Sequence, residues 1–384
     1  MPASTGFNPI LPVPVANPVR AVRKIAVLRA NALGDYLFTL PALYSLRAAY
    51  PRAELTLLGA PWHARILSGR PGPIDYVAVV PAVSGVRDGD SAPGELDAFR
   101  RWAMGEEFDI ALQMHGGGKY SNPLVSALGA RVTAGLRAVD AAPLDRWIPY
   151  VYYQPEVFRM LEVVGLVGAP PVTHSPVFEL TDDDRAQARA LVGSPTRPRA
   201  VLHPGASDAR RRWPAERFAA VGDALAAAGV EVLVTGVGSE RETVDEVCGR
   251  MRYPARPLVD ALTISGLAGL LADSALLISN DTGPLHLAAA VGTRTVGLFW
   301  IGNMINGALP ERGRHRALIS WTIHCPECGL DCTRDIYPAR TGGTGCRHSP
   351  SFVADIPAVE AEAEALDLLN AHRQEPVLVA ARGR

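Results

Sequence analysis

The sequence predicts an α/β protein of two units, each assembled from parallel β-α repeats, and three observations support that expectation. Its 384 residues exceed one ordinary hydrophobic core and fit two domains of roughly 150 to 200 residues each. Short β-branched runs alternate with segments of helical period, the order that a parallel sheet with crossover helices requires. Polar turns stand directly after several of those runs, and that is where open α/β sheets bind ligands.

The overall chemistry excludes other classes. With 48% hydrophobic and 20% charged residues and a formal net charge of -1, the chain has no electrostatic reason to bind nucleic acid, and it carries no basic arm or zinc-finger spacing. No apolar run is long enough to cross a bilayer, so any membrane association would be peripheral. Residues 1–22 read as a flexible tail: Met1 to Asn17 is apolar and proline-rich but lacks a basic segment before an apolar core, unlike a signal peptide. The expected location is the cytoplasm; the oligomeric state is open.

In chain order, Lys24 to Leu28 (KIAVL) predicts a strand, Arg29 to Gly34 a turn, and Asp35 to Tyr50 a helix with Leu37, Leu40, Leu43 and Leu46 on related faces. Pro41 should kink that helix or shift its start. From the residues alone, Asp35 either caps the helix or serves a site. The turn lacks the spacing of a dinucleotide fingerprint, and no P-loop occurs in the chain. Glu54 to Leu58, Tyr76 to Val80 and Asp109 to Gln113 predict further strands. After the last of these, Met114 to Asn122 (MHGGGKYSN) is flexible and polar. Gln113, His115, Lys119 and Asn122 could line a cleft there, or solvate a mobile loop. Pro143 to Pro155 carries Trp147, Tyr150, Tyr152 and Tyr153, which suits a packed interdomain segment or an acceptor-binding wall.

The second unit opens with a strand at Ala200 to Leu202, then a small-residue turn through Ser207 and three arginines, Arg210, Arg211 and Arg212. Backbone N–H groups and guanidiniums in such a turn can bind a diphosphate, although surface arginines would read the same way. Glu231 to Thr235 predicts another strand; Glu240 after it either holds a ribose hydroxyl or complements a helix dipole. Leu276 to Ser279 and Thr295 to Phe299 are strands around Asn280-Asp281-Thr282-Gly283 and a short helix. In that helix His286 either binds phosphate or fills space, and His203 is expected to be a structural turn residue.

Three separated signatures, KIAVLRANALGDYLFTLPAL (Lys24 to Leu43), VLHPGASDARRRWPAERF (Val201 to Phe218) and SNDTGPLHLAAAVGTRTVGLF (Ser279 to Phe299), resemble glycosyltransferase family nine, which includes the ADP-heptose:lipopolysaccharide heptosyltransferases. The resemblance covers most of Arg23 to Leu369. It implies a GT-B arrangement, two doubly wound Rossmann-like domains facing across a cleft, with acceptor contacts mainly in the first and nucleotide sugar mainly in the second. It also implies inversion at the anomeric carbon without a catalytic metal, so no cofactor beyond the donor, expected to be an ADP-sugar. By position, Asp35 is implied to be the general base, Ser207 and Arg211 to contact the diphosphate with Arg212 beside them, and Asp281 to hold sugar hydroxyls, with Thr282 and Gly283 closing around the donor. Ala206 stands where the family can have a threonine, Arg211 replaces a usual lysine, and GGGK differs from the common glutamine-glycine pattern, in which Gln113 still matches.

Cys325, Cys328, Cys332 and Cys346, with His324 and His348 alongside, suit a structural zinc site; reduced thiols or disulfides and an iron-sulfur cluster are the alternatives. The expected division is a tail over 1–22, an acceptor-side domain over 23–175, a nucleotide-sugar domain over 176–356 containing the cysteine-rich loop 324–348, and a helix and tail over 357–384, the helix packing across the domains. The expected function is glycosyl transfer, of heptose in the family's manner, to a hydroxyl of a glycan or small glycosylated molecule. The competing readings are an inactive sugar-nucleotide-binding or assembly protein, and a sugar-nucleotide epimerase or hydrolase.

Overall fold

The computed structural model describes residues 14–307, 311–335 and 346–374. The chain divides into two compact units, Met1–Thr181 and Asp182–Arg384. In the first, β1 (Lys24–Leu28), β2 (Glu54–Gly59), β3 (Tyr76–Val79), β4 (Ile110–Gln113), β5 (Val132–Arg137) and β6 (Arg146–Pro149) alternate with α1 (Leu33–Ala49), α2 (Pro61–Leu67), α3 (Glu95–Gly105), α4 (Ser121–Ser126) and α5 (Glu156–Gly165). Every strand pair is parallel, and the order is β3-β2-β1-β4-β5-β6. The chain therefore winds one way from β1 and returns on the other side at β4. That reversal opens a crevice at the carboxyl ends of β1 and β4, where the polar turns stand.

The second unit repeats the plan. Its elements are α6 (Asp182–Val192), β7 (Arg199–His203), α7 (Ala215–Ala227), β8 (Glu231–Gly236), α8 (Arg241–Arg250), β9 (Arg256–Val259), α9 (Ile264–Ala272), β10 (Leu276–Asn280), α10 (Gly283–Ala290), β11 (Arg294–Trp300), α11 (Ile301–Gly307), β12 (His315–Ser320), α12 (Cys332–Asp335) and α13 (Ala358–Gln374). Its parallel order, β12-β11-β10-β7-β8-β9, places the reversal between β7 and β10. Both units are thus doubly wound, as in the GT-B class of α/β fold.

The central strands are legible because both faces are covered: β1, β4, β7, β10 and β11 are almost wholly buried apolar runs. The sequence reading missed β6, β9 and β12. Each lies at a sheet edge, partly exposed, and β6 and β9 contain Pro149 and Pro257, which edge strands tolerate. α1 starts two residues earlier than expected and runs through Pro41 without ending. Leu37, Leu40, Leu43 and Leu46 are buried along it, and α5 packs against it; each such leucine contributes about 1.5 to 3 kcal/mol of burial.

Three expectations about the domain limits change. The division falls at Thr181 rather than after residue 175, because Arg70 stacks over the Phe178 ring at 4.3 Å and donates to the Glu179 carbonyl at 2.6 Å, tying that segment to the first unit. Of the tail expected to be flexible, the described part is held: Ala16 N donates to Gly165 O at 2.9 Å and Val19 N to Tyr50 Oη at 3.0 Å. Residues 1–13 lie outside the described residues. The carboxy-terminal helix α13, expected to pack across the domains, lies against α7 and β11 within the second unit, where Ala361, Ala365, Leu368 and Leu369 are buried. Among the described residues no helix is long and apolar enough to cross a membrane.

Candidate active site

In the first unit, Asp35 occupies the first turn of α1, directly after the β1 turn, with its side chain 37% exposed. Its carboxylate is not free to swing. Arg29 Nη2 donates to Asp35 Oδ1 at 2.9 Å, and Arg29 Nε donates to the Asp35 carbonyl at 3.1 Å. The guanidinium is 1% exposed and is itself fixed by Glu156 Oε1 at 2.9 Å and by the Met114 carbonyl. Arg159 pairs with the other Glu156 oxygen and stacks on Tyr150 at 4.7 Å. A buried cation that donates to two carboxylates offsets its desolvation through those bonds and presents the Asp35 carboxylate in one orientation. The sequence reading passed over Arg29 and Glu156. An arginine following a buried strand was the available signal; Glu156, 127 positions away, gave none.

The four expected acceptor-side residues divide. Gln113 is fully buried and spends its amide inside the fold: Nε2 donates to His115 O at 2.6 Å and Ser121 Oγ at 2.7 Å, and Oε1 accepts from Leu136 N at 2.9 Å. Asn122, also buried, donates to Ala142 O at 2.7 Å. Both brace the glycine-rich loop from beneath and do not line a cleft, a correction whose cause is the demand for partners on buried backbone groups. Gly118 explains the glycine at its position: φ is +95° and a Cβ would stand 2.6 Å from the Asn122 amide. His115 is buried too, accepting from Ala30 N at 3.3 Å through Nδ1. Burial, with the Arg29 guanidinium adding to it, pushes its pKa down to about 4, so the ring is neutral near pH 7. Lys119 alone presents its head group to solvent, 3.0 Å from Asp140. Within the aromatic segment, Trp147 is 42% exposed and stacks on Arg137.

In the second unit, the turns after β7 and β10 meet at the sheet reversal. Arg211 bridges them: Nη1 donates to the Asp281 carbonyl at 3.1 Å and stands 3.8 Å from Asp281 Oδ2, and Nη2 donates to Ser207 Oγ at 3.3 Å. Its buried Nε has no acceptor among the described residues. The other two arginines are turned to their own loop. Arg212 Nε donates to the Ala206 carbonyl at 2.8 Å, and Arg210 pairs with Asp208.

Asp281 is 7% exposed, and its Oδ1 lies 2.9 Å from His286 Nε2. His286 therefore orients the aspartate from the next helical turn. Thr282 is the residue before α10 and makes no side-chain cap bond; its Oγ1 lies 3.4 Å from Ser279 Oγ. Gly283 begins the helix. Glu240 lies under the β7 turn: its Oε2 accepts from Val237 N at 3.0 Å, and a Cβ on Gly205 would stand 2.1 Å from its carboxyl group. A larger residue at position 205 would have to displace that carboxylate. His203 is the last residue of β7, with Nδ1 3.2 Å from Thr235 Oγ1; burial lowers its pKa.

One residue missed by the sequence reading joins these turns. Asn280 accepts from Trp213 N at 3.0 Å and donates to Pro204 O at 2.8 Å and Gly205 O at 3.3 Å, all within the buried interior. An asparagine ending an otherwise apolar strand was its signal.

The expected metal set of Cys325, Cys328, Cys332 and Cys346 is altered. Cys325, Cys328, Cys346 and His348 bring their ligating atoms within 4.8 Å of one another. Cys332 Sγ instead donates to the Leu330 carbonyl at 3.4 Å. All five cysteines carry free thiols.

Residues 98–319, more than half of the chain, match the family model described as glycosyltransferase family 9 (heptosyltransferase). The lipopolysaccharide core heptosyltransferase OpsX of Haemophilus influenzae is 20% identical over 300 residues, covering 75% of this chain and 82% of that protein. Among solved structures, the ADP-heptose lps heptosyltransferase II of E. coli superposes with a TM-score of 0.69 at 18% identity, over 91% of this chain and 99% of that one. The E. coli heptosyltransferase WaaC with ADP-2-deoxy-2-fluoro heptose gives a TM-score of 0.59 at 22% identity, over 77% and 92%.

Proposed function

The chain belongs to glycosyltransferase family 9, and from that premise we propose that it moves a heptose from ADP-heptose to a hydroxyl of a glycan or small glycosylated molecule, inverting the anomeric carbon without a catalytic metal. Glycosyl transfer from a nucleotide sugar is the activity of the family; the donor, stereochemistry and acceptor class are the proposal. The observation that carries it is the Arg211 bridge between Ser207 and the Asp281 turn, at the switch point of the second sheet. A diphosphate carries its charge on oxygens that such a guanidinium and the surrounding backbone N–H groups can bind. The heptose in the WaaC complex is carried on ADP, which supports the same donor here.

The chemistry follows from the residues. The acceptor O–H gives its proton to the Asp35 carboxylate as its oxygen attacks the anomeric carbon, and the bond from that carbon to the diphosphate oxygen breaks. The electron pair leaves with ADP, where Arg211 and the loop amides stabilise the charge. One displacement inverts the centre. Asp35 is suited to the task because Arg29 fixes its direction while the carboxylate remains reachable. Asp281, oriented by His286, accepts from the hydroxyls of the donor sugar in this reading.

Mass-spectrometric detection of products from a panel of ADP-, GDP- and UDP-sugars with mixed acceptors tests the proposal. A product gaining one heptose from the ADP-linked donor is expected. Transfer from another nucleotide sugar, with none from ADP-heptose across a broad acceptor set, would overturn the donor assignment.

A further inference from the structure

We propose that Cys325, Cys328, Cys346 and His348 form a tetrahedral zinc(II) site that braces the arginine loop of the second unit. The spacing of the ligating atoms is that of a single ion. Cys328 Sγ lies 3.7 Å from Cys346 Sγ, and His348 Nδ1 lies 3.6 Å from Cys346 Sγ and 3.8 Å from Cys325 Sγ. With Zn–S of ~2.3 Å and Zn–N of ~2.0 to 2.1 Å, a tetrahedron has edges of ~3.8 Å between sulfurs and ~3.5 Å between sulfur and nitrogen. Three of the separations match those edges and all lie within 4.8 Å, so the set fits around one cation and leaves no room for a multi-iron cluster. Three thiolates and one imidazole in a tetrahedral arrangement match the Cys3His set of structural zinc sites.

The surroundings are those of a ligand set. Cys325 to Leu330 closes as a tight turn, with Cys325 N donating to Leu330 O at 2.9 Å and Gly329 N to Cys325 O at 2.8 Å. Glu327 Oε2 stands 3.7 Å from His348 Nε2, where a carboxylate orients the ring and raises the basicity of the nitrogen facing the metal.

What the site fixes is the chain just beyond His348. Ser351 Oγ donates to Arg212 O at 2.6 Å, Phe352 N donates to Arg210 O at 2.7 Å, and Trp213 Nε1 donates to Ile356 O at 3.0 Å. Residues 351–356 therefore form the backing of Arg210–Trp213, the segment that carries Arg211. Cys325 and Cys328 follow β12, so the ion would tie this backing to the sheet. The bracing rests on the structure alone; only its effect on donor affinity rests on the proposed function.

Elemental analysis of the full chain purified under reducing conditions, combined with limited trypsin cleavage, tests this. We expect one zinc per chain, retained in Cys332→Ser and lost to a mild chelator in His348→Ala. Chelating the parent chain should speed cleavage after Arg210, Arg211 and Arg212, and added zinc should restore protection, a reversible arm that does not depend on a variant's folding. Absence of zinc, iron in its place, or zinc held in His348→Ala but lost in Cys332→Ser would overturn the site. Unchanged cleavage on chelation would overturn the bracing. A chain that holds zinc and gains protection from it, yet fails to bind ADP, would leave this inference standing and count against the donor reading instead.

Discussion

Asp35 and Asp281 are held by the same device, a carboxylate aimed by a buried or half-buried partner of opposite or complementary character. Arg29 does this for Asp35, and His286 with Arg211 does it for Asp281. Neither partnership follows from residue spacing along the chain, because each is completed by the fold. The neutral His115 beneath the Arg29 turn adds a pH dependence. Its ordinary pKa is 6.5 and its folded value is about 4, so between these the unfolded chain binds a proton that the folded chain does not. The stability contributed by the neutral ring is complete above pH 6.5 and is lost as pH falls toward 4. The whole effect is on the order of 3 kcal/mol. His115→Asn keeps an acceptor for Ala30 N and removes the titration. Thermal unfolding from about pH 7 to about pH 4.5 should therefore show a shallower fall in Tm for the variant than for the parent chain, and equal slopes would refute the assignment.

At the scale of elements, the central strands were readable because burial on both faces leaves an apolar run, whereas β6, β9 and β12 were hidden by half-exposure at the edges. The three turns that carry the candidate site residues were readable as polar breaks after strands. Which of their side chains face a ligand was not: Gln113 and Asn122 look like cleft residues in the sequence, yet both are buried and donate to neighbouring backbone carbonyls. Asn280 is the opposite case, a residue at the end of an apolar strand that clamps the turns after β7 and β10 together. Asn280→Leu keeps the size but orphans the Trp213 amide and the Pro204 and Gly205 carbonyls. The expected cost is about 1 to 3 kcal/mol, read by chemical denaturation, with weakened ADP binding because the Arg211 loop loses its clamp. A variant as stable as the parent chain and with unaltered ADP affinity would show that the turns are held by something else.

At the scale of the whole chain, two units of the same winding carry their candidate site residues at the same topological place, the reversal between the first and fourth strands of each sheet. That duplication was legible in the alternation of strands and helices and in the three signatures. The boundary at Thr181 was not, because it depends on Arg70 capturing Phe178 and Glu179, contacts that no local pattern announces. The proposed division of labour gives proton removal to the first unit and donor binding to the second. The most direct measurement is turnover and ADP affinity in Asp35→Asn, made side by side on the same preparation. Transfer should fall by about 10²- to 10⁴-fold while the Kd for ADP stays as in the parent chain. Near-normal transfer in that variant would contradict the assignment of Asp35 as the base.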